Sequence, residues 1–201
     1  MRMGSKPVLA AVGPSKGRRL MELKQLDRKV IYSGKVFDLI VDRVEYPSGK
    51  NGVREIAHHP GGAVTVPLFE DGQVLLVKQL RYPLGKHIYE LPAGKLGPGE
   101  DPQAAAAREL EEETGYIADH LERLVSMYTT PGFCDEELHI FLATHLHESP
   151  SGHKREEGEF GMTIERIPMV RAISMVEAGE IKDSKTIVGL LWMDRRMKGG
   201  S

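Results

Sequence analysis

Residues 94–116, in the middle of the chain, constrain its fold more than any other segment. They read GKLGPGEDPQAAAARELEEETGY, a glycine-rich stretch followed by a run of strong helix formers. Asp101 is suited to cap the helix, Pro102 to its first position, and Gly115 to the left-handed position after its last turn. The segment predicts a loop of small side chains, where backbone can approach a ligand closely, leading into a helix of roughly three and a half turns.

The second half of this helix carries a cluster of carboxylates. Glu109, Glu112 and Glu113 are spaced i, i+3 and i+4, so they share one helix face. Their mutual repulsion is relieved when a hard cation such as Mg²⁺ or Mn²⁺ lies among them, because these ions prefer oxygen ligands. The alternative is a solvated acidic helix in which Arg108 and Glu112 form an i, i+4 ion pair.

The whole segment resembles a known family signature. The pattern G-x5-E-x7-R-E-U-x-E-E-x-G-U, where U is a bulky apolar residue, is typical of Nudix hydrolases. The resemblance implies an α/β fold, a Nudix-type α/β/α sandwich with a mixed β-sheet, and hydrolysis of a diphosphate linkage. Only Tyr116 departs, being aromatic where an aliphatic residue is usual. The matching positions are Gly94, Glu100, Arg108, Glu109, Leu110, Glu112, Glu113, Gly115 and Tyr116.

The resemblance also implies roles for individual residues. Glu109 and Glu113 are expected to be metal ligands, while Glu112 supports or shares that duty. Arg108 is expected to orient the glutamates, so that Arg108 and Glu112 belong to the catalytic set. The backbone carbonyl of Ala93 is expected to be a further ligand. The implied cofactor is Mg²⁺ or Mn²⁺, with two or three ions per site. The role of Glu100 stays open between loop geometry and metal binding.

Segments outside the signature narrow the substrate. Residues 77–83, 90–95 and 130–136 resemble the ADP-ribose pyrophosphatase branch of the family, and Pro131 lies fifteen residues after Tyr116, which is the usual mark of that branch. The implied reaction is cleavage of ADP-ribose to AMP and ribose 5-phosphate. Another nucleoside diphosphate sugar, such as a GDP-sugar, is the alternative within the enzyme class, and a non-catalytic nucleotide sensor is the rival. The implied substrate contacts are Arg54, Glu55, Arg81, Lys95, Pro131, Gly132 and Glu136.

Each of these implied contacts has a chemical rationale, but no single one of them is specific to this function. Arg81 and Lys95 would supply cations for a doubly charged diphosphate, and Glu136 could accept hydrogen bonds from ribose hydroxyls. An isolated arginine is more commonly a surface ion-pair partner, and a Pro-Gly pair is usually a turn. Their joint order along the chain favours the functional interpretation. Among the eight histidines, His59 is a candidate to line the cleft, and zinc is not favoured because no cysteine or third histidine has suitable spacing.

Composition excludes several classes of protein. The chain has 201 residues, 40% hydrophobic and 28% charged, enough for one substantial core with attached segments. The net charge of −2 gives no global field for nucleic acid or anionic membrane, and no apolar run approaches the roughly 20 residues needed to span a bilayer. A single cysteine, Cys134, excludes an internal disulfide and fits the reducing cytoplasm.

Three regions are expected along the chain. Residues 1–20 are basic and rich in small side chains, which predicts a disordered leader. Residues 21–60 carry β-branched and aromatic residues around a dense turn signal, which predicts an N-terminal antiparallel β meander; in the resembling branch such strands form a homodimer. Residues 61–198 are expected to be the Nudix domain. It should contain a hairpin around an Asp-Gly turn at 71–72, further strands at 87–91, 123–128 and 137–143, and helices at 169–179 and 185–197.

A polar run between residue 143 and the helix after residue 168 is expected to be a loop. In the resembling branch, a glutamate from this loop acts as the base for the attacking water or completes a metal site. The resemblance favours Glu157, then Glu159. The alternative is a solvated acidic loop.

We predict that Glu157→Gln slows the chemical step. An amide cannot accept the proton of the attacking water, so kcat should fall by about 10²- to 10⁴-fold while KM changes little. Steady-state kinetics of Glu157→Gln and Glu159→Gln, compared side by side, check this. If Glu159→Gln shows the loss and Glu157→Gln does not, the base is Glu159.

Overall fold

The computed structural model describes residues 23–154 and 161–199. These residues form ten strands, three α-helices and one short 3₁₀ turn. The strands are β1 Lys24–Ser33, β2 Asp38–Glu45, β3 Asn51–His58, β4 Gly62–Pro67, β5 Gln73–Arg81, β6 Lys86–Glu90, β7 Ala93–Lys95, β8 Tyr116–Tyr128, β9 Glu137–Glu148 and β10 Thr163–Pro168. The 3₁₀ turn is Tyr82–Leu84, and the helices are α1 Pro102–Thr114, α2 Met169–Glu177 and α3 Ser184–Gly199.

The first three strands form an antiparallel sheet of their own, in the order β1-β2-β3. Buried and exposed residues alternate along much of β2, as expected for a strand with one covered face, whereas β1 is exposed along its whole length. The turn between β2 and β3 is closed by the backbone bond from Tyr46 N–H to the Lys50 carbonyl at 2.8 Å. The predicted meander is therefore present.

Two further sheets make the body of the molecule. One is mixed, with the order β7-β4-β9-β8 and a parallel pairing of β4 with β9; the other is antiparallel, with the order β10-β5-β6. Successive residues of β4 point to opposite faces. Val64 and Val66 enter the main core with side chains of β5, α2 and α3, while Ala63 packs with Ala105 of α1. Helices thus cover the mixed sheet on both sides, and the expected α/β/α sandwich is confirmed.

The predicted hairpin around residues 71–72 is wrong in its main feature. The tight turn exists, because Gly72 N–H donates to the Phe69 carbonyl at 3.0 Å and Gly72 has a φ of +77°. The flanking strands share only the isolated bridge from Leu68 to Val74 and then enter different sheets. Strand β9 pairs with β4 along the whole length of β4, whereas β5 is paired on its two edges with β6 and β10.

Other expected boundaries also shift. Helices α2 and α3 confirm the two predicted C-terminal helices, whereas β8 and β9 are longer than expected. The region expected to be one long loop contains β10, which pairs with β5 along its whole length. Glu157, Glu159 and the predicted leader lie outside the described residues. Over the ranges 23–154 and 161–199, no helix is long and apolar enough to cross a membrane.

We predict that Gly189→Ala destabilises the protein. Alanine in a helix is normally favoured over glycine by about 0.5–1 kcal/mol. A Cβ at position 189, however, would lie 2.6 Å from Leu91 Cδ1 and 3.1 Å from Val66 Cγ2, inside the core. Overpacking of this kind costs about 1–3 kcal/mol, which exceeds the helix gain over most of its range, so the free energy of unfolding should fall by up to about 2 kcal/mol.

Urea unfolding monitored by circular dichroism measures this. Gly199→Ala, at the end of the same helix, is the matched control, because a Cβ there meets nothing within 4 Å. Equal stabilisation by both substitutions would contradict the prediction.

Candidate active site

Helix α1 begins and ends as the sequence predicts. Asp101 Oδ2 accepts hydrogen bonds from the backbone N–H groups of Gln103 and Ala104, both at 3.0 Å. Gly115 has a φ of 74°, and its N–H donates to the Glu111 carbonyl. The buried residues Ala105, Ala106 and Leu110 fix the rotation of the helix, which sets the direction of the acidic face. Glu109 and Glu112 line a small pocket with Ala93, Gly94 and Lys95 of β7.

Arg108 is the centre of an ion-pair network. Its Nη1 lies 2.7 Å from Glu109 Oε1 and 3.0 Å from Glu112 Oε2, and its Nε lies 2.8 Å from Glu100 Oε1. Glu100 also accepts the Gly97 N–H at 2.7 Å. The hydrogen bonds from Arg108 and then Gly97 lower the pKa of Glu100 to about 2. Glu100 therefore connects Arg108 to the glycine-rich loop, and it does not line the pocket.

Glu113 joins the acidic face to β7. It is only 3% exposed, and its Oε2 accepts the Ala93 N–H at 3.0 Å. Gly94 is equally close to the helix, because a Cβ there would fall 1.9 Å from Glu109 Cδ. Only glycine permits this approach, which brings the backbone of β7 against the carboxylates.

The residues fit a hard divalent cation in donor chemistry. The three glutamates and the Ala93 carbonyl are oxygen donors of the kind that Mg²⁺ and Mn²⁺ prefer. One positive charge, carried by Arg108 Nη1, already lies between Glu109 and Glu112. Among the described residues, no three His, Cys, Asp or Glu side chains are grouped so that they could hold an ion as they stand. Metal binding would therefore require these acidic side chains to rearrange.

A second cleft, of about 360 Å³, adjoins this pocket and shares Ala93, Gly94 and Lys95 with it. It contains three of the predicted substrate contacts, Arg81, Lys95 and Glu136, together with His59. Glu136 Oε2 accepts a hydrogen bond from Thr129 Oγ1 at 2.8 Å, and Lys95 Nζ donates to the Lys35 carbonyl at 2.6 Å. Residues that the sequence did not indicate also line it, namely Thr129, Thr130, Asp183, Ser184 and Lys185.

Four predicted contacts are not brought into this cleft within one chain. Arg54 and Glu55 are exposed on β3; at about 3.3 Å per residue, Arg54 lies roughly 16 Å along the chain from His59. The Arg54 guanidinium carbon lies 5.4 Å from the centre of the Tyr46 ring instead. Pro131 and Gly132 lie in an exposed turn. The preceding residues Thr129 and Thr130 line the cleft instead.

The sequence did not predict a cluster of charged side chains that lies at one end of the cleft. Glu90 is 1% exposed, and its two carboxylate oxygens accept hydrogen bonds from Arg81 Nε and Nη2 at 2.5 and 2.6 Å. Lys185 Nζ contacts the same carboxylate and lies 3.0 Å from Asp183 Oδ2. Burial opposes ionisation of Glu90, but the bonds from Arg81 and the charge of Lys185 hold its pKa below the ordinary value. Glu90 and Lys185 are far apart in sequence, so no local pattern could pair them.

Known proteins of one family resemble this chain. Residues 59–182 match the NUDIX domain. The chain therefore belongs to the Nudix family. Within that family it falls in the ADP-ribose pyrophosphatase branch, because it is 42% identical over 173 residues to the ADP-ribose pyrophosphatase of Bacillus subtilis (strain 168), covering 86% of this chain and 93% of that protein.

Two further proteins resemble this chain, one in sequence and one in fold. The chain is 34% identical over 161 residues to the GDP-mannose pyrophosphatase of Yersinia enterocolitica, covering 76% of this chain and 81% of the relative. A solved structure described as an ADP compounds hydrolase superposes with a TM-score of 0.79 at 19% identity, covering 92% of this chain and 99% of that one. The latter likeness concerns the fold alone.

We predict that Gly94→Ala abolishes most activity without unfolding the protein. The new Cβ would displace the Glu109 carboxylate, and a shift of about 1 Å at a catalytic centre can cost about 100-fold in rate. Steady-state kinetics and a thermal melt check the two halves of the prediction.

The double variant Gly94→Ala/Glu109→Gln isolates the cause. If the alanine acts through Glu109, adding it to Glu109→Gln should lower kcat little further. Full activity of Gly94→Ala, or strict additivity of the two losses, would contradict this account.

Proposed function

We propose that this protein is a Mg²⁺- or Mn²⁺-dependent pyrophosphohydrolase whose principal substrate is ADP-ribose, cleaved to AMP and ribose 5-phosphate. The observation that carries the proposal is the shared wall of the two pockets. Residues Ala93–Lys95 border both the carboxylate pocket of α1 and the cleft that contains Arg81 and Glu136. A diphosphate bound by the cations of the cleft would thus lie beside the carboxylates.

Each residue of the acidic pocket has a role in this proposal. Glu109, Glu113 and the Ala93 carbonyl hold the ions, two or three per site, and Glu112 supports them. Arg108 keeps Glu109 and Glu112 turned toward the same pocket, as its contacts with both suggest. When bound, the ions would neutralise the phosphate oxygens, activate a water molecule and stabilise the leaving phosphate.

The cleft holds the substrate. Arg81 and Lys95 bind the diphosphate oxygens, because a guanidinium and an ammonium form strong charge-assisted hydrogen bonds with them. Glu136 accepts hydrogen bonds from ribose hydroxyls, and Pro131 and Gly132 shape the adjoining turn. In the reaction, water oxygen bonds to one phosphorus while the bridging P–O bond breaks, and one water proton passes to a base. Glu157, or else Glu159, is the proposed base on sequence grounds alone.

We further propose that the protein acts as a homodimer. In this proposal residues 21–60 form the meander and residues 61–198 form the Nudix domain. Strand β1 of the meander is exposed, and its side chains Val30, Ile31 and Tyr32 are 58–59% exposed. A second copy of the chain would cover these apolar side chains. It would also allow Arg54 and Glu55 of one subunit to reach the cleft of the other, a role that the single chain does not give them.

The setting is proposed to be the cytoplasm, which the single cysteine suits. Neither nucleic acid nor a membrane is expected as a partner, given the net charge of −2. The likeness to a GDP-mannose pyrophosphatase favours a GDP-sugar as the second candidate substrate. A sensor without catalysis is disfavoured, because all the signature glutamates are present.

A panel of substrates tests the function. ADP-ribose, ADP-glucose and GDP-mannose are incubated with Mg²⁺, Mn²⁺ or EDTA, and phosphate is measured after treatment with a phosphatase. We expect ADP-ribose to give the highest kcat/KM, no turnover in EDTA, and a loss of roughly 10²-fold or more in Glu113→Gln. Preference for GDP-mannose would select the alternative, and no cleavage of any compound would favour a sensor.

Light scattering after size-exclusion chromatography tests the dimer. We expect a dimeric wild type, and dissociation together with lost activity in Ile31→Lys, because a charge would be placed in the apolar contact. Lys29→Ala, on the same exposed strand, is the control and should remain dimeric. A fully active monomeric wild type would contradict the proposal.

A further inference from the structure

One carboxylate at the end of the substrate cleft is shared by two cations. Glu90 is almost completely buried, whereas Arg81 keeps 41% and Lys185 keeps 12% of its side-chain surface exposed, and both line the cleft. The two cations therefore lie between the Glu90 carboxylate and the cleft. Burying an ion pair carries a large desolvation cost, and an apolar replacement is often at least as stable. This arrangement is therefore a weak device for stability and calls for a functional reason.

Lys185 is brought to this position by the first turn of α3. Thr186 Oγ1 accepts the Leu91 N–H at 2.8 Å, which fixes the start of the helix against the chain between β6 and β7. Asp183 Oδ2 accepts the backbone N–H and the hydroxyl of Thr186 at 3.0 and 2.6 Å, so that much of its hydrogen-bonding capacity caps the helix. Lys185 is thereby held next to Thr186, whose hydroxyl is bonded to Leu91, two residues before Ala93 in the wall of the candidate active site.

Arg81 and Lys185 each have hydrogen-bond donors that the contact with Glu90 does not use. The pair with Glu90 uses Nε and Nη2 of Arg81 and does not use Nη1. A lysine ammonium has three donors, and within residues 23–154 and 161–199 Lys185 forms ion pairs with two carboxylates, those of Glu90 and Asp183. Each cation can therefore donate to a further acceptor while it stays bound to Glu90.

We propose that Lys185 is a second diphosphate-binding residue beside Arg81, and that Glu90 is a positioning residue that holds both cations at the cleft before substrate arrives. The inference rests on the proposed function, since the ligand is the diphosphate of that substrate. Pre-positioned cations bind an anion without first losing side-chain freedom, which raises affinity. The expected consequence is an effect of Lys185 on KM and on the affinity for diphosphates, and not on the chemical step.

Lys185→Met tests this, with Lys182→Met as the matched control. Lys182 is exposed, lies three residues earlier and does not line the cleft, so the control removes the same charge. We expect Lys185→Met to raise KM for ADP-ribose about 10- to 100-fold, as for loss of one charge-assisted hydrogen bond, with kcat changed less than about threefold. Lys185→Arg should restore most of the affinity, which a purely structural defect would not predict. Lys182→Met should match the wild type.

Binding of α,β-methylene ADP-ribose, measured by calorimetry in the presence of Mg²⁺, separates affinity from turnover. Lys185→Met should weaken this binding by the same factor as KM. Arg81 still binds Glu90 in the variant, so we expect it to fold; if it does not, Lys185→Gln, which keeps a donor to Glu90 and loses the charge, is measured instead. Glu90→Gln should also raise KM, and adding Lys185→Met to it should cost less than the sum of the two effects.

The outcomes distinguish this inference from the function on which it rests. If the wild type hydrolyses ADP-ribose and Lys185→Met behaves like Lys182→Met in KM and in binding, Lys185 does not contact the diphosphate. A fall in kcat with unchanged KM would overturn the proposal as well. If the wild type cleaves no nucleoside diphosphate compound, the proposed function has failed first.

Discussion

The candidate active site depends on one hydrogen bond between two elements of very different kind. The Ala93 N–H of the short strand β7 donates to the carboxylate of Glu113, which is buried near the end of α1. A carboxylate in so little contact with water needs such a donor, because an unsatisfied buried charge is costly. The bond therefore fixes the distance between helix and strand. The Gly94 contact with Glu109 and the wall shared by both pockets follow from that distance.

Local sequence was enough to predict the helix that bears the carboxylates. Its cap, its first proline and its closing glycine are each set by backbone chemistry within one turn, and the structure confirms all three. The acidic face and the contact of Arg108 with Glu112 are also local, because residues three and four apart on a helix are neighbours. The family signature covers this same segment. It is the part of the molecule where sequence and structure agree most closely.

Features that depend on distant pairing could not be predicted in the same way. The turn at Gly72 was recognised, but the sheet that each flanking strand joins is decided by β7, β9, β10 and β6, which lie far along the chain. The contact of Lys185 with Glu90 likewise has no local signal. Arg54 and Glu55 show the converse, since family position suggested a role in the cleft that one chain alone does not provide. The sequence indicated individual residues of the site, but it did not indicate which distant residues contact one another.

The parallel pairing of β4 with β9 has a consequence for how the protein folds. Gly62 lies opposite Leu138, so this contact closes a very long stretch of chain, and helix α1 and strands β5 to β8 all fall within it. Closing long loops costs entropy and slows folding. During synthesis on the ribosome, β4 has to wait until β9 has emerged. The candidate active site is thus expected to assemble late, after its own helix could have formed.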